Sequence, residues 1–251
     1  MPEAVFVQPH YDDIALSCGG TAAQLAVDHS PLIVTVCGGL PGEQLTEFAR
    51  QQHEWWQLDD AAVVAERRWE DECAARELGA SVRTLSLDYL DAIYRRAEYA
   101  SEEALFGRLV DADLELVGEL AGRLEDLGEP LVMPLAVGNH VDHQWVFLAA
   151  WELARRGREV WLYADLPYAL QPGALEDRLG QLALGAAIER ELSAGDFERR
   201  WRAIECYRSQ LPVLFRSIDD PRERFEDFAR RGGQLCERFW RFDADVEETS
   251  A

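Results

Sequence analysis

Two short segments of this 251-residue chain combine histidine and aspartate at spacings that suit a metal site. The first places His10, Asp12 and Asp13 directly after an apolar run, and the second reads Gly-Asn-His-Val-Asp-His over residues 138–143. A catalytic zinc ion commonly takes three protein ligands from histidine and carboxylate side chains and keeps one position for water. His10, Asp13 and His143 would together supply such a set.

The other ionisable side chains of the two segments could transfer protons and stabilise charge during attack by the metal-bound water. Neighbouring side chains in an extended loop point to different sides of the backbone, so Asp12 and Asp13 are not expected to bind the same ion. Asp12 could then accept a proton from the metal-activated water. His140, as an imidazolium held in that form and orientation by Asp142, would stabilise the oxyanion of a tetrahedral intermediate. These are the parts of a metal-assisted amide or ester hydrolase.

The order of apolar runs explains how two distant segments could meet. Residues 5–7 and 130–135 are typical of buried strands, and each ends directly before a histidine-containing segment that leads into a helical pattern. In an open α/β sheet the ligand crevice lies at the carboxyl ends of the strands. Further runs at 31–37, 82–87 and 159–164 predict more strands, so we expect an α/β fold with a parallel sheet between helical layers.

Helical periodicity fills most of the remaining chain. The helices predicted from this pattern cover residues 47–79, 105–127, 174–191, 196–210 and 222–240, the last interrupted at Gly232-Gly233. The acidic, small residues at 243–251 predict a frayed tail. A single domain over residues 1–251 is expected, because a chain of this length buries one full core and has no linker-like segment.

The composition excludes several classes of function. Acidic residues number 47 against 25 basic ones, and the net charge of −22 should repel nucleic acid and anionic membrane surfaces. The chain contains no lysine, which excludes a Schiff-base lysine. Five widely spaced cysteines argue against a disulfide framework or a cysteine zinc site. With no signal-peptide pattern at the start, we expect a cytoplasmic protein.

Several motifs resemble those of the PIG-L/LmbE-like deacetylase superfamily. Residues 9–13, Pro-His-Tyr-Asp-Asp, are similar to its Pro-His-Pro-Asp-Asp signature, and residues 140–143 are similar to its His-x-Asp-His motif. Three weaker matches follow the family order. They are an Arg-x-x-Glu helix at 67–70, a Tyr-x-Asp-x-Pro-Tyr strand end at 163–168 and a Tyr-x-Ser-Gln helix at 207–210.

The resemblance implies a fold, a cofactor and a reaction. The fold would be a Rossmann-like three-layer sandwich with a mostly parallel central sheet. The cofactor would be a divalent metal, usually Zn2+, with Fe2+ as an alternative, and the reaction would remove an N-acetyl group from an amino-sugar conjugate. Carried over by position, His10, Asp13 and His143 match the metal ligands, Asp12 the general base, and His140 with Asp142 the transition-state stabiliser.

The same resemblance places two residues near the sugar. Arg67 matches the arginine of the Arg-x-x-Glu helix, and Asp91 lies in the loop after the third predicted strand. An ion pair on the helix surface would explain Arg67 equally well, and a loop cap would explain Asp91. We expect substrate specificity to lie in the loops at 38–42 and 88–101.

Other functions remain open at this point. One is an amidase acting on thiol conjugates or natural-product intermediates. A non-haem Fe(II) oxygenase also uses two histidines and a carboxylate, although it does not need Asp12 or His140. A non-catalytic metal-binding or sugar-binding protein would not need the acid and base groups. The sequence does not decide the acylated substrate, the physiological metal, the group that protonates the leaving amine, or the role of residues 211–251. It also does not decide the oligomeric state, and a homo-oligomer is one alternative.

Overall fold

A computed structural model of the chain describes residues 4–42, 44–182 and 184–242. The predicted tail at 243–251 lies outside the described residues, and the single domain over 1–251 stays a prediction. The strands are β1 (Val5–Gln8), β2 (Leu32–Thr35), β3 (Arg83–Ser86), β4 (Leu131–Pro134), β5 (Val160–Tyr163), β6 (Ile188–Leu192), β7 (Arg230–Arg231) and β8 (Gln234–Phe242).

These strands form one sheet. Within the described ranges the sheet has eight strands: seven follow the order β3-β2-β1-β4-β5-β8-β6, and β7 pairs with β8. The first five strands are parallel, with Val5 opposite Leu32 on one side and opposite Leu131 on the other. Because β1 and β4 are parallel neighbours, both of them deliver the residues that follow to the same edge of the sheet. The fold is therefore the predicted α/β fold with a mostly parallel central sheet.

Helices surround the sheet. They are α1 (Asp13–Leu25), α2 (Glu47–Trp56), α3 (Val63–Leu78), α4 (Ala92–Arg95), α5 (Glu102–Leu105), α6 (Asp111–Glu125), α7 (Val141–Arg155), α8 (Ala174–Gly180), α9 (Ala194–Ile204), α10 (Leu211–Leu214) and α11 (Pro221–Ala229). Helix α9 packs on α1 and α3, and α6 packs on α7. Across the described residues, no helix has both the length and the apolar character that a bilayer span requires.

The predicted helix at 222–240 is wrong beyond α11, and the one at 174–191 is wrong beyond α8. Gly232 (φ +55°) and Gly233 (φ +90°) do not interrupt a helix but form the tight turn between β7 and β8. Positive φ at both central residues of a two-residue turn favours a β-hairpin. Strand β8 then pairs antiparallel with both β5 and β6. The strand conformation and burial of β8 depend on these distant partners, which the local sequence pattern does not report.

The sequence argued against a disulfide framework, and among the described residues the structure has a single disulfide. Cys73 on α3 and Cys206 after α9 are joined by a disulfide, with their Cα atoms 5.9 Å apart. The two cysteines are 133 positions apart, so only the packing of α9 on α3 brings them together. Cys18, Cys37 and Cys236 are free and buried. The cytoplasmic location stays a prediction.

A buried ion pair supports a break in the middle of α1. Cys18 has a non-helical backbone (φ −147°, ψ 27°), which separates two short helical halves. Arg200 donates from Nε to one carbonyl of residues 15–16 at 3.2 Å and from Nη2 to the other. Glu237 accepts from the amides of residues 20–21 at 3.0 and 2.7 Å, and it lies 3.2 Å from Nη1 of Arg200. The pair therefore satisfies both of the new helix ends.

Candidate active site and metal centre

The turn after β1 is held in place by buried hydrogen bonds. The backbone amide of His10 donates to Oδ2 of Asp13 at 2.8 Å, and the amide of Ile14 donates to Oε1 of Gln8 at 3.0 Å. Gln8 is itself fixed, since its Nε2 donates to Oδ1 of Asp71 at 3.0 Å. Helix α1 begins at Asp13, so the carboxylate that ends the turn also lies at a helix N-terminus.

The second segment turns sharply before α7. Gly138 has φ +85°, and a Cβ there would lie 2.6 Å from the side chain of Tyr168, so this position requires glycine. Asn139 follows with φ 66° and donates to a carbonyl of residues 106–107 at 2.9 Å. His140 is the N-cap of α7, and its Nδ1 accepts from the backbone amide of Asp142 at 3.2 Å.

The two turns bring the predicted metal ligands together. The ring centroids of His10 and His143 are 5.4 Å apart, and that of His140 lies 5.0 Å from His10 and 5.6 Å from His143. Asp13 lies between the first two histidines: its Oδ1 is 3.4 Å from Nε2 of His143 and its Oδ2 is 3.7 Å from Nδ1 of His10.

The far nitrogen of each of these two histidines contacts a carboxylate. Nε2 of His10 lies 3.0 Å from Oδ2 of Asp142, and Nδ1 of His143 lies 2.6 Å from Oδ1 of Asp165. Carboxylates on the far nitrogen fix the tautomer and the ring orientation of metal-binding histidines. Nε2 of His143 is buried and has no hydrogen-bond partner. This donor set and this unpartnered nitrogen fit a divalent cation.

Two groups of side chains in the described part of the chain have donor atoms that all lie within 4.8 Å of one another. They are His10, His140 and His143, and His10, Cys37 and Asp142, so neither group contains Asp13. Nδ1 of His140 already accepts a hydrogen bond, which leaves only its Nε2. The thiol of Cys37 is buried, and burial raises its pKa well above the ordinary range. The predicted ligand set with Asp13 stays a prediction.

The electrostatics of the cluster favour positive charge beside His10. Burial lowers the pKa of His10, but its hydrogen bond to Asp142 and the nearby charges of Asp91 and Asp13 raise it to about 9. Burial raises the pKa of Asp13 to about 6 against the opposing effect of His143 and His10. The carboxylates of Asp142, Asp91 and Asp13 thus favour a positive charge at His10, and a bound cation would supply that charge in place of a proton.

The environment of His140 favours a neutral imidazole over the predicted imidazolium. Burial, followed by the charge of His10, lowers the pKa of His140 well below its ordinary value. The carboxylate of Asp142 contacts His10 and lies 2.7 Å from Nη1 of Arg95 instead, and this arginine lowers the pKa of Asp142 despite its burial. Since Nδ1 of His140 accepts from the amide of Asp142, its ring hydrogen lies on Nε2.

Arg67 and Asp91 both face the same cleft. Arg67 is only 7% exposed, which excludes the surface ion pair considered from the sequence. Its Nη1 lies 3.7 Å from Oδ2 of Asp91, its guanidinium lies 5.0 Å from the ring of Trp56, and its buried Nε has no hydrogen-bond partner. Asp91 caps α4 by accepting from the amide of Ile93 at 3.2 Å, and its carboxylate also lies 3.7 Å from Nε2 of His10.

The cleft has a volume of about 260 Å³ and includes Asp12, Asp13 and His140 in its lining. The loop at 38–42, predicted to carry specificity, contributes no lining residue among those described. It packs on the next loop instead, because the amide of Gly39 donates to the carbonyl of Tyr89 at 2.9 Å. The loop at 88–101 contributes through Asp91 and Ile93.

Sequence reasoning missed two supporting residues and most of the cleft wall. Asp165 stands inside the Tyr-x-Asp-x-Pro-Tyr match, so its contact with His143 could have been sought there. Arg95 lies in none of the motifs found in the sequence, so no sequence signal pointed to it. The additional cleft-lining residues were not named as site residues from the sequence. They include Trp55, Trp56, Phe106, Tyr168, Val213, Leu214 and Ile218.

Known proteins resemble the chain along nearly its whole length. The family model of PIG-L, the GlcNAc-PI de-N-acetylases, matches residues 5–154. A 2′-N-acetylparomamine deacetylase of Niallia circulans is 31% identical over 97% of this chain and 92% of its own length. The zinc-inhibited form of teicoplanin deacetylase Orf2 is 29% identical and superimposes with a TM-score of 0.82 over 98% of both chains. The A40926 pseudoaglycone deacetylase Dbv21 is 25% identical, with a TM-score of 0.79 over 100% of this chain and 99% of that one.

Proposed function

The chain belongs to the PIG-L family, and we propose that it is a metal-dependent hydrolase that removes an N-acetyl group from an amino sugar within a small-molecule conjugate. The observation that carries the proposal is the pairing of each predicted histidine ligand with a carboxylate on its far nitrogen. That pairing directs two histidines from distant turns toward Asp13.

His10, Asp13 and His143 would hold the metal ion, and Zn2+ suits this donor set best. When bound, a divalent ion of this kind lowers the pKa of a water molecule and polarises a carbonyl oxygen. Fe2+ is the alternative metal. The carboxylates of Asp142 and Asp165 would orient the two histidines by accepting hydrogen bonds from their far nitrogens.

Two side chains carry the proton and charge changes. Asp12 lines the cleft and accepts the proton of the attacking water. His140, as a neutral imidazole, donates its Nε2 hydrogen to the oxyanion of the tetrahedral intermediate. Asp12 then returns its proton to the departing amine, so the step ends with a free amine and acetate. Arg67 and Asp91 would bind sugar hydroxyl groups, for which the unpartnered Nε of Arg67 provides a donor.

The relatives and similar structures favour a substrate from natural-product biosynthesis. One relative acts on acetylparomamine, and the similar structures are deacetylases of teicoplanin and of the A40926 pseudoaglycone. An amino sugar within such a product is therefore a better candidate than a thiol conjugate. A non-haem iron oxygenase would consume oxygen during turnover, whereas the hydrolase would not.

Two substitutions test the division of roles. Asp12→Asn should retain its metal and lose about 10²- to 10⁴-fold in kcat, because only the proton acceptor is removed. His143→Gln should lose the metal and, with it, the activity. Metal analysis and amine release from N-acetylglucosamine conjugates measure both. His53→Gln, a buried histidine outside the cluster, is the matched control and should keep its metal. Equal loss of metal in the Asp12 and His143 variants would contradict the proposal.

A further inference from the structure

The cleft has a second region whose chemistry differs from that of the histidine cluster. Apolar side chains from three separate segments line it. We name them the apolar wall: Trp55, Leu105, Phe106, Val213, Leu214 and Ile218. None of these residues is needed for the hydrolytic step, and three of them lie in the region after residue 210 for which the sequence suggested no role.

The apolar wall is continuous with the catalytic groups. The ring of Phe106 lies 5.3 Å from that of His140 and 5.6 Å from that of Tyr168, both in edge-to-face contact. On another side, Trp56 supports the guanidinium of Arg67 at 5.0 Å. A substrate held with its amide at His140 would therefore place its next chemical group against the wall.

The charges of the outer cleft are already paired. Apart from the histidine cluster with Asp12, Arg67 and Asp91, the charged residues among the described cleft lining are Glu102 and Arg216. Arg216 donates from Nη2 to Oε1 of Glu102, which joins two segments 114 positions apart. A polycationic group would find no unpaired carboxylate in this outer part of the described lining.

Several residues of the wall remain accessible although they are large and apolar. Trp55 is 39% exposed, and Phe106, Val213, Leu214 and Ile218 are only partly buried. Clefts lined by apolar and aromatic side chains with a few convergent polar groups are typical of small-molecule sites. An apolar ligand group would remove this surface from water.

We propose that the substrate carries an aryl or alkyl aglycone next to its N-acetylated sugar, and that the apolar wall binds this aglycone. The inference rests on the proposed function, which assigns the amide to His140 and the metal ligands. The acyl group that is removed is an acetyl group with a single methyl, so the aglycone is the part of the substrate that reaches the wall. A cationic aminocyclitol is the disfavoured partner.

Binding of product-like ligands tests this directly. Phenyl β-glucosaminide should bind the metal-loaded protein at least ten times more tightly than methyl β-glucosaminide, and more tightly than paromamine, in calorimetric titrations. In Leu214→Asn the ratio of the phenyl to the methyl affinity should fall below three. Leu114→Asn changes a leucine that is 47% exposed on α6 and does not line the cleft, so its ratio should match the unmodified protein.

Three outcomes would overturn the inference. These are equal affinities for the phenyl and methyl glycosides, tighter binding of paromamine, and faster hydrolysis of an N-octanoyl than of an N-acetyl methyl glucosaminide, which would place the wall on the acyl side. Failure of the proposed function gives a different result. In that case the phenyl glycoside would still bind preferentially, but N-acetylated phenyl glucosaminide would release no amine.

Discussion

Two buried polar clusters of this protein differ in how completely their atoms are paired. At the break in α1, Arg200 and Glu237 contact each other, and their remaining charged atoms cap the carbonyls and amides of the two helix halves. At the carboxyl ends of β1 and β4, by contrast, Nε2 of His143 and Nε of Arg67 are buried without hydrogen-bond partners.

The difference indicates what each cluster is for. A buried polar atom without a partner costs about 1–3 kcal/mol, and a ligand that completes its bonding offsets that cost. The ion pair at the helix break is complete within the protein, and we assign it to stability. The strand-end cluster contains the two unpartnered atoms that the proposed cation and substrate would contact, and we assign it to function.

The largest expected effect on stability comes from breaking the complete cluster. Arg200→Met leaves Glu237 buried without its cation and should lower the free energy of unfolding by about 3–5 kcal/mol in urea denaturation. The folded fraction should keep its metal, since the substitution lies outside the ligand set. Arg200→Met combined with Glu237→Met removes both charges and should recover part of the loss. A single variant as stable as the unmodified protein would remove the basis of the comparison.

A smaller effect is expected where a support of the strand-end cluster is removed. Asp165→Asn weakens the acceptor that holds Nδ1 of His143 and should lower metal affinity about 10- to 100-fold. Competition with a chelator of known affinity measures this change. The unfolding free energy of the metal-free variant should change far less than that of Arg200→Met. Unchanged metal affinity would show that the carboxylate has no role in the site.

The smallest effect concerns the network beneath the catalytic turn. Burial raises the pKa of Asp71 to about 7, despite hydrogen bonds from Gln8 and Tyr207. Between about pH 4 and pH 7 Asp71 keeps a proton in the folded protein that it has lost in the unfolded chain. The contribution of Asp71 to stability therefore falls as pH rises. Asp71→Asn should abolish this fall. The free energy of unfolding of the variant, relative to that of the unmodified protein, should therefore be about 1–2 kcal/mol higher at pH 8 than at pH 5.

Denaturation curves of both proteins at the two pH values provide the measurement. The acidic groups that act on Asp71 are Asp12 and Glu72. Glu72→Gln on the same helix is therefore the control, and it should leave most of the pH dependence in place. A parallel pH dependence in Asp71→Asn and the unmodified protein would contradict the assigned titration.

The meeting of the two candidate loops was predictable from the sequence because its signals are local. An apolar run that ends at His10, and another that ends before His140, identify strand ends, and the parallel sheet places those ends together. The spacing of His10, Asp12 and Asp13 lies within a single turn. These predictions needed only the pattern of neighbouring residues and the topology that the pattern implies.

The supporting groups were not predictable because their partners are distant in sequence. Arg200 contacts residues 184 and 185 positions away, and Glu237 reaches 217 positions back to Gly20. Strand β8 was predicted as helix because its pairing with β5 and β6 decides its conformation. The neutral state of His140 depends on burial, which the sequence does not display.

We propose that His10, Asp13 and His143 together bind one divalent ion. Titration of cobalt(II) into the metal-free protein, followed by absorption spectroscopy, measures this binding. We expect about one ion per chain, no thiolate-to-cobalt charge-transfer band, and loss of binding in His143→Gln. A charge-transfer band that disappears in Cys37→Ser, or full binding by His143→Gln, would contradict it.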